Sequence, residues 1–287
     1  MTETAAISAM GQKDAYEELD VEEFEIVETL DGSTCAVCGE LDGKHFPQSE
    51  YKIGVTVPPF HPWCRGCTAP YFEDMKGIST RFARDVKTGK AYDVPNDMTY
   101  TEWKKKQDEK YGEGTVDTVR KMNYNKSEDQ KQYDKYKKAL GKEAPKKFED
   151  FQNIKYFEPE KYAGIKEHYS YKQRVPEATK KDFEAYKAIK STGVKGTIRI
   201  PPRKIDYAHL EFNDEHAKNH GCTVEEARQY VKNAKCSISR KRWDGISENY
   251  YSLDGAAYVN LDTQKIKTAF SKEDFDPLTK KIVEVFK

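Results

Sequence analysis

The sequence predicts an α+β fold, and three patterns along its 287 residues support this class. Two Cys-x-x-Cys pairs enclose a Gly- and Pro-rich stretch, a Lys- and Glu-rich middle has weak helical periodicity, and the last part combines helix patterns with strand-sized runs. Helices followed by an antiparallel meander are typical of this class. We predict the end of a helical region (1–28), a cysteine module (29–112), a helical connector (113–192) and a C-terminal domain (193–287).

The cysteine module contains five candidate metal ligands. Cys35 and Cys38 form one Cys-x-x-Cys pair, Cys64 and Cys67 form the other, and His61 lies three residues before Cys64. Two such pairs facing each other can close a tetrahedral site around one zinc ion. We expect Cys35, Cys38 and Cys64 as ligands, with Cys67 ahead of His61 for the fourth position. Two disulfides or free thiols are the alternative.

A zinc ion bound there is expected to be structural. Glycines and prolines punctuate the loop between the two pairs and leave only short strand-like runs, at 51–53 and 55–57. Metal binding would supply the folding free energy that burial cannot. A catalytic zinc needs an open coordination position and a nearby base, and five candidate ligands leave no obvious vacancy.

Composition limits the size of the packed core. The hydrophobic content is 37% and the mean hydropathy is -0.93, values that predict long solvated segments in addition to two small cores. The sequence has no apolar run as long as a membrane span and no visible signal peptide. We therefore expect no membrane partner.

Charge is unevenly distributed although the net charge is zero. Residues 1–103 carry 9 basic against 19 acidic side chains, whereas residues 104–190 carry 23 against 16. The basic middle could contact DNA or an acidic partner, and a solvated helical face is the alternative. The interleaved Tyr and Lys residues at 169–172 could stack on bases, but scattered aromatic residues also pin helices together.

Local patterns indicate where the secondary structure lies. Helices are predicted at 5–19, 98–111, 127–140, 146–156, 180–190, 223–234 and 277–286, and strands at 24–27, 236–239, 250–252, 256–261 and 266–270. Residues 205–210 are predicted as strand or turn, and residues 212–220 as helix-like. Thr223 and Glu226 have the spacing of a capping box. Asp254-Gly255 between two β-like runs is a hairpin signal.

The C-terminal domain contains polar side chains of the kinds used in catalysis: His209, His216 and His220, then Arg240, Lys241 and Arg242, and on later strands Tyr251, Thr268 and Ser271. RNA cleavage without metal requires a base for the 2'-hydroxyl proton, an acid for the leaving 5'-oxygen and a cation for the charge on phosphorus. Histidines that titrate near neutrality, with an arginine opposite, supply all three.

Other interpretations of these residues stay open. The His-x-x-x-His spacing also fits a metal site, although Ala217 stands where zinc proteases carry Glu. Both histidines could instead be partly buried helix residues without a chemical role. Cys222 and Cys236 have no Cys-x-x-Cys partners and are expected to be small core residues.

Six blocks around the cysteine pairs carry a resemblance: TLDGSTCAVC (29–38), LDGKHF (41–46), PPFHPWCR (58–65), RFARD (81–85), TGK (88–90) and DMTYTEW (97–103). Together, over roughly 15–112, they resemble the C-terminal signature of phage head-morphogenesis (minor capsid, Mu F-like) proteins. The resemblance implies a phage or prophage protein of the virion interior, with capsid and portal proteins as partners. That family carries a long helical region before the signature, so we expect the portal-binding part to be missing or truncated here.

Five short motifs in the C-terminal domain carry a second resemblance: DEHAKNHG (214–221), TVEEA (223–227), NYY (249–251), GAAY (255–258) and IKTAF (266–270). They are similar to the phage-borne barnase/EndoU/colicin/RelE-like nuclease domains fused to head-morphogenesis proteins. This implies helices packed on a small antiparallel sheet, and a polymorphic RNase toxin with a cognate immunity protein. The resemblance also implies a catalytic set of histidine, basic and hydroxyl residues, here His216, His220, Arg240, Tyr251, Thr268 and Ser271. Such domains often carry an Arg between the two histidines, where this chain has Lys218 and Asn219.

The predicted function follows from these two resemblances. The chain is expected to be a minor head protein with structural zinc, whose C-terminal domain is a metal-independent ribonuclease, and therefore a hydrolase. Delivered with the virion DNA, this domain would cleave RNA in the host or recipient cell cytoplasm. The alternative is a non-enzymatic capsid assembly or head-decoration protein.

Overall fold

The computed structural model describes residues 2–213 and 221–287, which form a mixed α+β architecture as predicted. The helices are α1 Thr2–Glu18, α2 Ala36–Leu41, α3 Tyr100–Tyr111, α4 Thr115–Tyr124, α5 Lys126–Leu140, α6 Phe148–Phe157, α7 Pro159–Arg174, α8 Lys180–Ser191, α9 Val224–Lys232 and α10 Pro277–Glu284. The strands are β1 Glu23–Val27, β2 His45–Pro47, β3 Cys67–Pro70, β4 Thr80–Arg84, β5 Ala91–Pro95, β6 Thr197–Arg199, β7 Glu211–Phe212, β8 Cys236–Arg242, β9 Gly245–Tyr251, β10 Gly255–Asn260 and β11 Lys265–Ser271.

The chain divides into two compact units, Met1–Gln132 and Tyr133–Lys287. The division lies inside the segment predicted as a helical connector. Across both described ranges, every helix is too short or too polar to cross a membrane.

The first unit is built around a small antiparallel sheet with the order β2-β1-β3. Strand β1 lies in the centre and pairs with both of the others. Phe24 and Ile26, on one of its faces, are both fully buried. Phe24 packs with Tyr16 of α1 and with Tyr51 in one core cluster. Strands β4 and β5 form a separate hairpin, and Ala83 of that hairpin packs with the buried Trp103 of α3 in a second cluster.

The second unit contains a six-stranded sheet with the order β6-β8-β9-β10-β11-β7. Strands β8 to β11 form the predicted antiparallel meander, with the predicted Asp254-Gly255 turn between β9 and β10. The two edge strands are short, since β6 has three residues and β7, which pairs parallel to β11, has two.

Alternating residues of the meander pack into two separate cores. Ile238 and Tyr251 pack with residues of α8 and α10, and we call this side of the sheet the α8/α10 face. Tyr250 and Val259 pack with residues of α9, and we call the opposite side the α9 face. Both faces are covered, so burial falls on nearly every residue of β10 rather than on alternate ones.

Helices from the predicted connector contribute to the α8/α10 core. Tyr171 of α7 and Phe183, Tyr186 and Ile189 of α8 are buried in the same cluster as Ile238. The Tyr171 hydroxyl donates to the carbonyl of Ile200 at 2.8 Å, which ties α7 to the residue after β6. The sheet core of the second unit therefore begins well before residue 193.

Some predicted elements differ from the observed ones. The runs at 51–53 and 55–57 are not strands, because only an isolated bridge between Ile53 and Val57 forms there. Residues 205–210 contain a turn but no strand, and Phe212 ends β7. The remaining residues of the helix-like segment predicted at 212–220 lie outside the described ranges, apart from Asn213.

Candidate metal centre and sheet site

The first cysteine pair is positioned by the start of helix α2. Cys35 is the N-cap of this helix, with extended backbone, and its sulfur accepts a hydrogen bond from the Cys38 N–H at 3.3 Å. The cap places the thiol of Cys38, in the first turn, on the same side as that of Cys35. One short helix thus presents both sulfur atoms to the loop that carries His61 and Cys64.

Three donor atoms converge at this point, and the sulfur of Cys64 lies beside one of them. Nε2 of His61 lies 3.3 Å from Sγ of Cys35 and 3.1 Å from Sγ of Cys38, and the sulfur atoms of Cys38 and Cys64 are 3.8 Å apart. Tetrahedral zinc with its usual bond lengths would separate two sulfurs by about 3.8 Å and a sulfur and a nitrogen by about 3.5 Å. Cys35, Cys38 and His61 could therefore hold a metal ion.

Of the two residues predicted to compete for the last ligand position, His61 lies with Cys35 and Cys38, whereas Cys67 belongs to neither group of possible ligands among the described residues. Cys67 begins β3 and pairs with Val27, and its sulfur lies 3.8 Å from the carbonyl oxygen of that residue, away from the cluster. Nδ1 of His61 lies 2.7 Å from the carbonyl of Pro62, which leaves Nε2 facing the sulfurs. A second hydrogen bond of this kind commonly orients a histidine ligand.

Glu28 adds a buried carboxylate beside the sulfurs. Its Oε1 lies 4.0 Å from Sγ of Cys64, and Glu28, Cys38 and Cys64 form a second group that could hold a metal ion. Burial raises the pKa of Glu28, and burial followed by the nearby Glu28 charge raises the pKa of Cys38. A bound cation would compensate this concentration of acidic groups, so the donor set fits a divalent metal.

Two acidic residues hold the surrounding loops in place. Asp31 accepts two hydrogen bonds from the guanidinium of Arg65, both at 2.7 Å. The side chain of Asp42 is fully buried, accepts from the backbone N–H of Glu28 at 2.7 Å and of Tyr100 at 2.6 Å, and pairs with Arg81. These bonds connect the loops around the cysteine pairs to β4 and α3, two elements that do not contribute ligands.

The predicted catalytic residues of the second unit are brought together in part. Strand pairing places Arg240, Tyr251 and Thr268 on the α8/α10 face, whereas Ser271 has the parity of the α9 face. Successive residues of a strand point to opposite sides, so Ser271 cannot join the other three. His216 and His220 lie outside the described residues.

Asn249 and Tyr258 complete the polar part of the α8/α10 face. Asn249 pairs with Tyr258 across β9 and β10, and Tyr258 pairs with Thr268 across β10 and β11, so the three form one row. Arg240 is fixed by a hydrogen bond from its Nε to the carbonyl of Lys195 at 2.8 Å. Asn249 and Tyr258 belong to two of the short motifs in the sequence, but neither was predicted as a site residue.

The hydroxyl groups of this face differ in environment. Burial, followed by the neighbouring Tyr258, raises the pKa of Tyr251, so its phenol stays protonated at neutral pH. Tyr251 is fully buried, while Arg240, Tyr258 and Thr268 are half-buried. The Thr268 hydroxyl has no hydrogen-bond partner within the two described ranges. This oxygen is itself shielded from solvent, so it is a buried polar atom whose hydrogen bond is not made.

The α9 face contains a buried polar cluster around one carboxylate, which was not predicted from the sequence. Glu248 is 0% exposed and accepts hydrogen bonds from the hydroxyls of Ser237 and Ser239, and Nε of Arg203 lies 3.5 Å from it. The neighbouring Tyr250 hydroxyl has no partner in the part of the chain that is described. The sequence could have predicted that Ser239 pairs with Glu248, because the two residues are equally far from the hairpin turn.

Comparisons with known proteins identify no relative of the chain. No protein-family description, no curated protein and no solved structure matches it.

Proposed function

We propose that the chain is a phage or prophage minor head protein that carries a metal-independent ribonuclease in its second unit. The sequence blocks around the cysteine pairs support the first part of this proposal. The observation that supports the second part is that Arg240, Tyr258 and Thr268 lie on one and the same half-buried face of the sheet. Capsid and portal proteins, RNA and a cognate immunity protein are its proposed partners, and the virion interior is its proposed location.

The metal in this proposal is a structural zinc ion. Cys35, Cys38, His61 and Cys64 would fill its four tetrahedral positions, which leaves none open for a substrate. Zinc would supply folding free energy to a loop with little core of its own. The chain's own contribution is to bring the four donors together through the α2 cap and through the Arg65–Asp31 pair.

The proposed cleavage proceeds by proton transfer around the phosphate. A base removes the 2'-hydroxyl proton, the 2'-oxygen forms a bond to phosphorus, and the 5'-oxygen leaves with a proton from an acid. We assign the base and the acid to His216 and His220. Arg240 stabilises the added negative charge on the phosphoryl oxygens, and the hydroxyl of Tyr258 donates a hydrogen bond to them. Thr268, whose hydroxyl is buried, pairs with Tyr258 in the sheet and supports its position. Tyr251 is a positioning residue, because its ring packs edge-on against the ring of Tyr258.

The test compares two basic residues that are adjacent in β8. Arg240→Ala in the full chain is expected to slow cleavage of labelled RNA by about 100-fold, because one charged donor to the transition state is lost. Lys241→Ala removes the same charge from the opposite face of the strand, so the rate at saturating RNA, where weaker binding no longer limits it, is expected to change little. Cleavage should persist in EDTA.

Two results would contradict the nuclease proposal. Equal rates for the two variants would remove Arg240 from the reaction. Intact RNA at micromolar wild-type protein would leave the non-enzymatic assembly or decoration function as the better hypothesis.

A further inference from the structure

The hairpin between β8 and β9 carries an unusually exposed tryptophan. Trp243 is 96% exposed, whereas Trp103 in the first unit is completely buried. Tryptophan is highly buried on average, so nearly complete exposure needs an explanation. Trp243 occupies the tip of the hairpin, in the two-residue loop between Arg242 and Gly245.

The tip is held rigidly, so looseness does not explain the exposure. Asp244 forms an ion pair with Lys267 at 2.6 Å, and its carbonyl accepts a hydrogen bond from the Asn260 amide at 2.8 Å. Gly245 has a φ of 120°, and a Cβ there would lie 2.0 Å from a carboxylate oxygen of Asp262. The backbone therefore accommodates only glycine there, and the turn holds the backbone of Trp243 in a fixed place while its indole stays in solvent.

The residues beside the indole are basic. Arg240, Lys241 and Arg242 precede it directly, and the last two are exposed. The one acidic residue in the loop, Asp244, is paired with Lys267, so positive charge dominates around Trp243. An exposed aromatic ring beside several cations is the combination that binds single-stranded nucleic acid, by stacking on a base and neutralising its phosphates.

We infer that the tip of the β8–β9 hairpin is a binding site for single-stranded RNA. Trp243 stacks on an unpaired base, and Lys241 and Arg242 contact the flanking phosphates. Because a strand rises about 3.3 Å per residue, Trp243 lies about 10 Å along the strand from Arg240. Neighbouring nucleotides of one RNA chain span that distance. The site would therefore hold the substrate of the proposed nuclease, and this inference rests on that proposed function.

The experiment measures binding separately from cleavage. A short fluorescently labelled 2'-O-methyl RNA, which lacks the reactive 2'-hydroxyl, is titrated with the full chain. Trp243→Ala is expected to weaken binding by about tenfold to a hundredfold. Trp243→Phe retains a stacking ring, so it should bind nearly as well and should lose the quenching of indole fluorescence that the wild-type protein shows.

Two further variants control for charge and exposure. Tyr124 is 90% exposed but belongs to the first unit, so Tyr124→Ala should bind like wild type. Lys241→Ala should weaken binding to all sequences and reduce its salt dependence, because one phosphate contact is lost. A duplex of the same sequence should bind more weakly because its bases are already stacked.

The outcomes separate this inference from the nuclease proposal. Equal affinity and equal quenching for wild type and Trp243→Ala would overturn the RNA site even if RNA is cleaved. Binding that depends on Trp243, in a protein that cleaves nothing, would keep the site and reject the nuclease. Quenching by an acidic protein or by anionic vesicles, but not by the oligonucleotide, would replace RNA by that other partner.

Discussion

At the scale of single residues, helix ends are stabilised by a repeated pattern. Thr99, Thr179 and Thr223 each cap a helix with their hydroxyl, and an acidic residue three positions later bonds back to the cap. The box at Thr223 was predicted and is confirmed. Asp276 uses a different arrangement, since its carboxylate accepts from the N–H groups of Leu278 at 2.7 Å and Thr279 at 2.9 Å.

Asp276 gives a prediction about pH. Burial alone would raise its pKa, but the hydrogen bonds from Thr279 hold the pKa of this carboxyl below its usual range. Its stabilising effect is therefore present above about pH 4, the ordinary Asp value, and is lost as the pH falls towards the folded-state pKa. Asp276→Ala should cost about 1 kcal/mol at pH 7 and less at pH 3, measured by urea unfolding.

The exposed residue Asp274 provides the control for this measurement. Asp274→Ala should leave the free energy of unfolding nearly unchanged at both pH values. A cost of Asp276→Ala that is the same at pH 3 and pH 7 would contradict the role of the ionised cap.

At the scale of elements, helix α8 is part of a core and not a solvated connector. Phe183, Tyr186 and Ile189 lie three residues apart on one face and are buried against the sheet. The sequence contained this spacing, but the high Lys content of the helix obscured it. Lysine residues occupy the other face, where they do not oppose packing.

Truncation of Ile189 tests this assignment. Ile189→Ala should reduce the free energy of unfolding of the second unit by about 2–5 kcal/mol, because a completely buried side chain leaves a cavity. Lys181→Ala, on the exposed face of the same helix, should cost less than about 0.5 kcal/mol. Similar small effects of both changes, followed by chemical denaturation, would show that α8 is dispensable for the sheet.

At the scale of the whole molecule, the two units are expected to unfold separately. Only the first contains the sulfur cluster, so removal of a bound metal should destabilise that unit alone. Elemental analysis should find about one zinc per chain. Calorimetry should show two transitions, of which only one falls in temperature on addition of EDTA.

Two variants identify the fourth ligand. Cys67→Ser should keep the zinc, whereas His61→Ala should lose it or bind it much more weakly. The opposite result would restore the predicted ligand order. Protein that contains no zinc when prepared without chelators would reject the metal centre itself.

Local and long-range information contributed differently to these sites. Cysteine spacing was sufficient to find the cluster, because the donors come from two short segments. The choice between His61 and Cys67 could not be predicted from the sequence, since both lie three residues from Cys64. The pairing of β3 with β1 determines where the Cys67 side chain lies. The separation of Ser271 from Thr268 was readable, because residues three apart on a strand point to opposite sides.

The short edge strands of the second unit also affect how copies behave together. A sheet edge adds a foreign strand only when it offers a long row of free backbone groups, and β6 and β7 offer three residues and two. Along β6 and β7 themselves, a neighbouring molecule therefore finds little backbone with which to pair. Two edge strands this short disfavour the edge-to-edge addition through which copies of a sheet join into fibrils.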